Sequence, residues 1–513
     1  MTASTPLELD GQSLDLESLE QVSCDARPVF LADSALTAID RAREAVEQIL
    51  ARNETVYGVN TGFGHLAQVS IEPGDLKQLQ RNLVRSHAAG TGRPFDIPTT
   101  RAITLLRANV LAGGHSGVHR RVVQQLIDFL NLGIHPWIPS QGSVGASGDL
   151  APLAHLALVL FGEGWVHGPG GERIDSAAAF EQHGIAPIEL GAKEGLALIN
   201  GTQAMTGLGA LATMRARRLS AVADLIGAMT VEAKLGSYKP FEARLHDLRP
   251  HPGQSASAAN MRRLLQGGTI NASHHNCEKV QDSYSLRCIP QVHGAARDTI
   301  AHTRAVLSRE LNSITDNPTI FPDTGEVISG GNFHGQPIAL ALDFLAMGTS
   351  ELGSISERRI EQLVNPRLSG LPAFLVDSAG LNNGFMISQV TAAALASENK
   401  GLCYPSSVDS IPTSANQEDH VSMGPISARQ AMAVVENTER ILGIELLVAC
   451  QALDFRAPLV PAEGPALALE FVRGHIPHLD QDRILCDDQE KAATLIRNGS
   501  LLRAAEQVLG PLH

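Results

Sequence analysis

Gly142-Ser143-Val144-Gly145-Ala146-Ser147-Gly148-Asp149-Leu150-Ala151-Pro152-Leu153-Ala154-His155 is a glycine-rich turn that runs into an apolar helix start. At its centre, Ala146-Ser147-Gly148 has the residues from which a chain can make an electrophile out of its own backbone. Attack of the Gly148 nitrogen on the Ala146 carbonyl carbon closes a five-membered imidazolone. Loss of the Ser147 hydroxyl then leaves an exocyclic methylene, the group 4-methylidene-imidazol-5-one (MIO). Glycine at 148 lets the nitrogen approach with no Cβ in the way, Ala146 is small, and Ser147 supplies the hydroxyl that leaves. Asp149 and Pro152 are expected at the N-cap and an early position of a helix, which would set the ring beside a positive helix end. Ala-Ser-Gly alone, however, is also what an Ala- and Gly-rich chain yields by chance.

Around this stretch the 513 residues carry few aromatics (4%), abundant Ala and Leu, and glycines spread through helix-like segments. This favours tightly packed helices. Length alone suggests about three domains. A formal charge of -14 argues against nucleic acid or an anionic membrane as a main partner. No basic stretch followed by an apolar one opens the chain, so no signal peptide is expected. The uncharged runs Gly195–Met214 and Ser378–Ser397 are interrupted by Asn200, Thr202 and Gln203 and by Asn382, Asn383 and Gln389. They read as buried segments of a soluble, cytoplasmic protein and not as membrane spans. Cys24, Cys277, Cys288, Cys403, Cys450 and Cys486 have no framework spacing, so free thiols are expected. His274, His275 and Cys277 lack a second ligand pair and read as a polar loop, with no metal.

In chain order, residues 1–33 suggest a small β element with a turn. Helices are expected at 34–52 (capped by Ser34), 98–112 and 115–131, with the last ending at Gly133. Trp165 to Ile174 reads as a hairpin. From Glu194, long helical stretches at about 194–234, 292–315, 334–364, 387–400 and 425–454 predict a mainly α chain. Its architecture is a long-helix bundle with a smaller N-terminal MIO-bearing region, divided as 1–193 and 194–513.

Six further motifs carry polar groups in apolar or glycine-rich surroundings. Tyr57-Gly58-Val59-Asn60-Thr61-Gly62-Phe63-Gly64 does not match a dinucleotide fingerprint and suggests a mobile loop with one tyrosine, which on its own is also compatible with a core position. Ser86-His87 stands near a helix end. Asn200, within Ile199-Asn200-Gly201-Thr202-Gln203, needs a hydrogen-bond partner and is core glue or a site residue. In Gln281-Asp282-Ser283-Tyr284-Ser285-Leu286-Arg287, the Arg287 fork suits a carboxylate ligand or an internal ion pair. Phe333 follows a glycine hinge at Gly330-Gly331, and Glu418 lies in Asn416-Gln417-Glu418-Asp419-His420-Val421-Ser422-Met423.

The MIO string and these motifs, in this order over most of residues 50–430, resemble the histidine and phenylalanine ammonia-lyase family. The resemblance implies an MIO formed from Ala146, Ser147 and Gly148, with Tyr57 on a lid as the base for the β-proton. Its phenol would need a lowered pKa to serve near neutrality. It implies Arg287 on the substrate carboxylate, Asn200 and Tyr284 assisting around the amine, carboxylate and ring, and Gln281 and Phe333 lining the site. His87 and Glu418 would face an imidazole, since a carboxylate suits a ring that can carry positive charge. The family is a homotetramer whose sites are each built from three chains. The expectation is an ammonia-lyase acting on L-histidine to give urocanate, with a tyrosine or phenylalanine lyase, or an aminomutase, as the alternative on the same scaffold. Ser283 (usually Pro), Ile289 and His293 (usually Gln and Met) and Gly335-Gln336 (usually Ala-Glu) depart from the histidine-type pattern and bear on substrate preference.

Overall fold

The computed structural model describes residues 5–52, 54–61, 73–274 and 279–513. It is mainly helical, and its strands form four two-stranded sheets among the described residues. The first pairs Leu7–Leu9 with Val29–Leu31 in parallel. A parallel pair needs a crossover, and here it is the helix Leu16–Cys24, which the sequence did not suggest. Asp15 caps it by accepting from the Ser18 N–H at 2.6 Å. The expected hairpin is present as Trp165–His167 against Arg173–Asp175.

Helix positions follow the apolar periodicity more closely than the capping signals. Asp33–Ala51 begins ahead of the expected cap Ser34, and Ala32 holds the cap position without a side-chain bond. Ile97–Ala112 matches expectation, with Asp96 accepting from the Thr99 N–H at 2.9 Å. Arg120–Leu132 starts later than expected, after a turn, and ends at Gly133.

The chain forms two compact units, each drawn from three stretches. One comprises Met1–Met214, Arg304–Asp343 and Pro405–Arg429; the other comprises Arg215–Thr303, Phe344–Tyr404 and Gln430–His513. The sequence had suggested a single division after residue 193. Four long helices, Gln203–Ala233, Ile289–Glu310, Gln336–Val364 and Gly424–Asp454, instead each contribute residues to both units. Gln336–Val364 is long and apolar enough to cross a membrane by composition, yet 61% of its most apolar window is buried, as suits a core helix.

In the first unit, Ile97–Ala112 is buried from Thr99 onward, Leu150–Leu160 from Ala151 onward, and Glu194–Ile199 throughout. Helices without a polar face belong in a core. Their ends still carry unpaired N–H and C=O groups, which must find partners inside the protein.

The second unit packs Leu225, Ile226 and Met229 with Leu352, Ile360, Leu446 and Val448. Asp224, fully buried there, accepts from Ser257 Oγ at 2.6 Å and Asn260 Nδ2 at 2.9 Å, and pairs with His293 at 2.7 Å and Arg297 at 2.6 Å. Burial acts to raise its pKa, but Arg297 and His293 outweigh burial and hold the carboxyl below the usual range. His293, one of the departures noted in the sequence, is therefore a buried partner of Asp224.

Candidate active site

The helix expected over 194–234 is two helices, Glu194–Ile199 and Gln203–Ala233, separated by Asn200-Gly201-Thr202. Asn200 is extended (φ -96°, ψ 117°), and Gly201 has φ +141°. Periodicity concealed this break because the residues on both sides of it are buried.

The break pairs with the Ala146-Ser147-Gly148 turn. Gly148 and Gly201 form an isolated parallel bridge: the Asp149 N–H donates to the Gly201 carbonyl at 2.7 Å, and the Gly201 N–H donates to the Ser147 carbonyl at 3.3 Å. In such a bridge the bonded groups flank the central residue, so the Gly148 N–H faces away and bonds no described residue. Gly148 has φ +72°, and a Cβ there would overlap the Gly201 carbonyl oxygen. Only glycine fits. Peptide groups pinned on either side of an untied Gly148 nitrogen suit its attack on the Ala146 carbonyl.

Asp149 stands at the start of Leu150–Leu160 but does not cap that helix. Its Oδ2 accepts from the Ala204 N–H at 2.8 Å and the Met205 N–H at 2.9 Å, so it caps Gln203–Ala233 instead. Burial pushes this carboxyl up to about 7, against the pull of those two bonds. Two helix N-termini thus lie beside Ser147 and Gly148, where their dipoles favour developing negative charge.

Ala146, Ser147, Asn200 and Leu150 line one cavity of about 540 Å³ together with Tyr57, His87, Phe333 and Glu418. That is ample for an amino acid. Ser147 Oγ donates to Glu418 Oε1 at 3.2 Å, and Thr413 Oγ1 donates to Glu418 Oε2 at 2.8 Å. The Thr413 and Glu418 backbones also pair both ways, at 2.9 and 3.3 Å, which fixes the carboxylate. His87 ends the helix Leu76–His87 with its Nδ1 2.8 Å from the Leu83 carbonyl. If Nδ1 carries the proton for that bond, Nε2 of the neutral ring is an acceptor. Asn200 Nδ2 donates to the Asn317 carbonyl at 3.2 Å, and the Gly330 N–H donates to Asn317 Oδ1 at 2.7 Å, which ties the turn before Phe333 to Asn200. Tyr57 is half-buried. Gly62, Phe63 and Gly64 of its loop lie outside the described residues.

Gln281, Tyr284 and Arg287 do not line this cavity and belong to the second unit. Tyr284 is 71% exposed, and the Arg287 guanidinium stacks 4.5 Å from its ring centre while donating to the Asp282 carbonyl at 3.1 Å. Of the other departures, Ser283 precedes the turn Tyr284–Arg287 and Ile289 is buried. Gln336 donates to the Ser407 carbonyl at 3.2 Å and does not line the cavity either. His274 bonds the Ile270 carbonyl at 2.8 Å, whereas His275 and Cys277 lie outside the described residues.

The sequence reading assigned no role to Asn317, His334 or His420, which also line the cavity. The two histidine rings stack at 5.8 Å, and His334 Nε2 lies 3.2 Å from the His420 carbonyl. His420 sits inside a motif already noted, and His334 directly follows Phe333. For Asn317, the sole signal is a polar Asp316-Asn317-Pro318 turn.

Sequence comparison agrees with this architecture. A profile described as aromatic amino acid lyase matches residues 14–474, and the chain belongs to that family. Within the family it is similar to the histidine ammonia-lyase of Anaeromyxobacter sp. (strain K), at 56% identity over 503 residues, which cover 96% of this chain and 99% of that protein. Among solved structures it is similar to histidine ammonia-lyase from Trypanosoma cruzi, at 45% identity and a TM-score of 0.92, covering 99% of this chain and 96% of that one. Tyrosine aminomutase from Streptomyces globisporus superposes with a TM-score of 0.93 at 41% identity, covering 98% of this chain and 99% of that one.

Proposed function

We propose that this chain is a carbon-nitrogen lyase that converts L-histidine to trans-urocanate and ammonia, with an MIO group formed from Ala146, Ser147 and Gly148. The observation that carries this reading is the meeting of Ser147, Glu418 and His87 in one cavity beside the Gly148–Gly201 bridge. Extensive identity to histidine ammonia-lyases supports the substrate.

When present, MIO supplies an electrophile that captures the substrate amine and makes it a better leaving group. The chain's own residues do the rest. Tyr57 takes the β-proton. His87 accepts the imidazole N–H through Nε2, and Glu418 balances positive charge on that ring. Asn200 and Tyr284 hold the reacting amine and carboxylate region, the Arg287 fork binds the carboxylate, and Gln281 and Phe333 close the walls.

Gln281, Tyr284 and Arg287 act in this reading from neighbouring chains of a homotetramer. The outward display of Tyr284 and the exposed apolar residues Leu381, Ile387 and Val390 support that assembly.

Side-by-side turnover of histidine, phenylalanine and tyrosine, with products identified, tests the substrate. Histidine should be turned over to urocanate far faster than the others; preferred turnover of tyrosine or phenylalanine would refute the assignment.

A further inference from the structure

We propose that Arg107 is a positioning residue that holds the Asn200-Gly201-Thr202 break against Gly148 so that the ring can close. This rests on the MIO reading above.

Arg107 lies in the apolar helix Ile97–Ala112 and is fully buried. A buried arginine needs several partners, and every partner of this one belongs to the break or borders it. Nη1 donates to the Ala197 carbonyl at 2.8 Å, Nη2 donates to the Asn200 carbonyl at 3.0 Å, and Nη2 also donates to Gln203 Oε1. Gln203 in turn donates to Thr315 Oγ1 at 2.8 Å. The guanidinium therefore grips the last turn of one helix and the first residue of the next, with only Asn200, Gly201 and Thr202 between them. Burial lowers its pKa to about 10, with Asp316 and Asp149 opposing, so it keeps its charge at neutral pH.

Gly201 is packed directly against this brace. A Cβ on it would lie 2.7 Å from Arg107 Nη2 and 2.8 Å from Thr315 Oγ1. The opposite side of Gly201 forms the bridge that pins the Ser147 carbonyl and the Asp149 N–H. Arg107 thus bears on Gly148 through a single intervening residue.

Ring closure forms the bond from Gly148 N to Ala146 C. The Ala146 oxygen leaves as water with the amide hydrogens of Gly148 and Ser147. The Ser147 hydroxyl leaves as a second water with the Ser147 Cα hydrogen. Arg107 exchanges no proton in either step; it holds Gly201 in place against Gly148.

The test is the intact mass of chains made by cell-free synthesis and sampled over time, with circular dichroism and thermal unfolding as fold controls. Lysine keeps the charge but cannot grip both carbonyls with a fork. Arg107→Lys should fold and lose the two waters about tenfold or more slowly than the wild type, the size expected for one lost charge-assisted hydrogen bond. Gly201→Ala, which attacks the clamp from the other side, should show the same lag. Closure at the wild-type rate in folded Arg107→Lys, or prompt closure in Gly201→Ala, overturns the proposal. Failure of Arg107→Lys to fold also overturns it, because Arg107 would then serve the fold as a whole. A wild-type chain that never loses two waters would instead refute the MIO reading itself.

Discussion

Gly148→Ala puts a methyl group where the structure leaves no room, and its cost has two parts. An alanine at φ +72° costs about 1–2 kcal/mol relative to glycine. The Cβ also overlaps the Gly201 carbonyl oxygen, and moving a packed backbone to relieve such an overlap costs about 1–3 kcal/mol. The sum, about 2–5 kcal/mol, is smaller than the stability of most domains, so the variant should fold with its bridge sprung open. Ser147→Ala is the proper reference, since it also lacks the methylene but leaves the bridge untouched. Gly148→Ala should show no loss of two waters by intact mass and no measurable turnover, and it should unfold at a clearly lower denaturant concentration than Ser147→Ala. Equal stability of the two variants, or ring formation in Gly148→Ala, would refute the reasoning from the Gly148–Gly201 contact.

Three other perturbations probe separate parts of the molecule. Tyr57→Phe should still lose two waters while turnover drops by about 10²–10⁴-fold, the usual worth of a general base; a drop of only a few-fold sends the search for the base elsewhere. Glu418→Gln keeps the shape but removes the charge, so activity on histidine should fall more than side activity on phenylalanine or tyrosine. An equal fall on all three would assign Glu418 to the shared chemistry. Asp224→Asn should destabilise the second unit by about 3–5 kcal/mol at neutral pH by leaving buried Arg297 and His293 underpaired. Because the folded pKa of Asp224 is depressed, its contribution is complete above the ordinary carboxylate pKa and is lost as pH falls through the folded value. The stability gap between wild type and variant should therefore shrink on acidification, and a gap independent of pH would contradict the depressed pKa.

The candidate site was legible in the sequence wherever its proposed chemistry is local. Ala146-Ser147-Gly148 carries the groups for the proposed reaction on adjacent atoms. Asn200 announced itself as an uncharged polar residue without a partner in an apolar run, and the structure supplies that partner at Asn317. The long helices showed in their periodicity to within a few residues. What stayed hidden depends on who packs against whom. Asp149 followed by Pro152 reads locally as a cap for its own helix, yet its carboxylate caps the helix beginning at Gln203. The 194–234 run reads as one helix because propensity cannot see that Arg107, from a distant helix, has hydrogen-bonded both sides of a break. The helix Leu16–Cys24 was lost among short apolar and acidic stretches that also suit strands.

Those hidden contacts bear on why the electrophile would form where it does. The ring position lies beside the N-termini of Leu150–Leu160 and Gln203–Ala233, a field that favours negative charge. An ionised Asp149 on the second of those N-termini would cancel much of that field. Burial raises its carboxyl to about 7, so near neutrality a large fraction is protonated and the opposing charge is reduced. Its two backbone bonds need only an acceptor oxygen, which the protonated acid still offers. The carboxyl can thus keep the helix start in place while carrying less negative charge than an ordinary carboxylate. Asp149→Asn would preserve the acceptor and remove this titration, so any pH dependence of ring closure that comes from Asp149 should be absent from the variant while the Gly148–Gly201 bridge is kept.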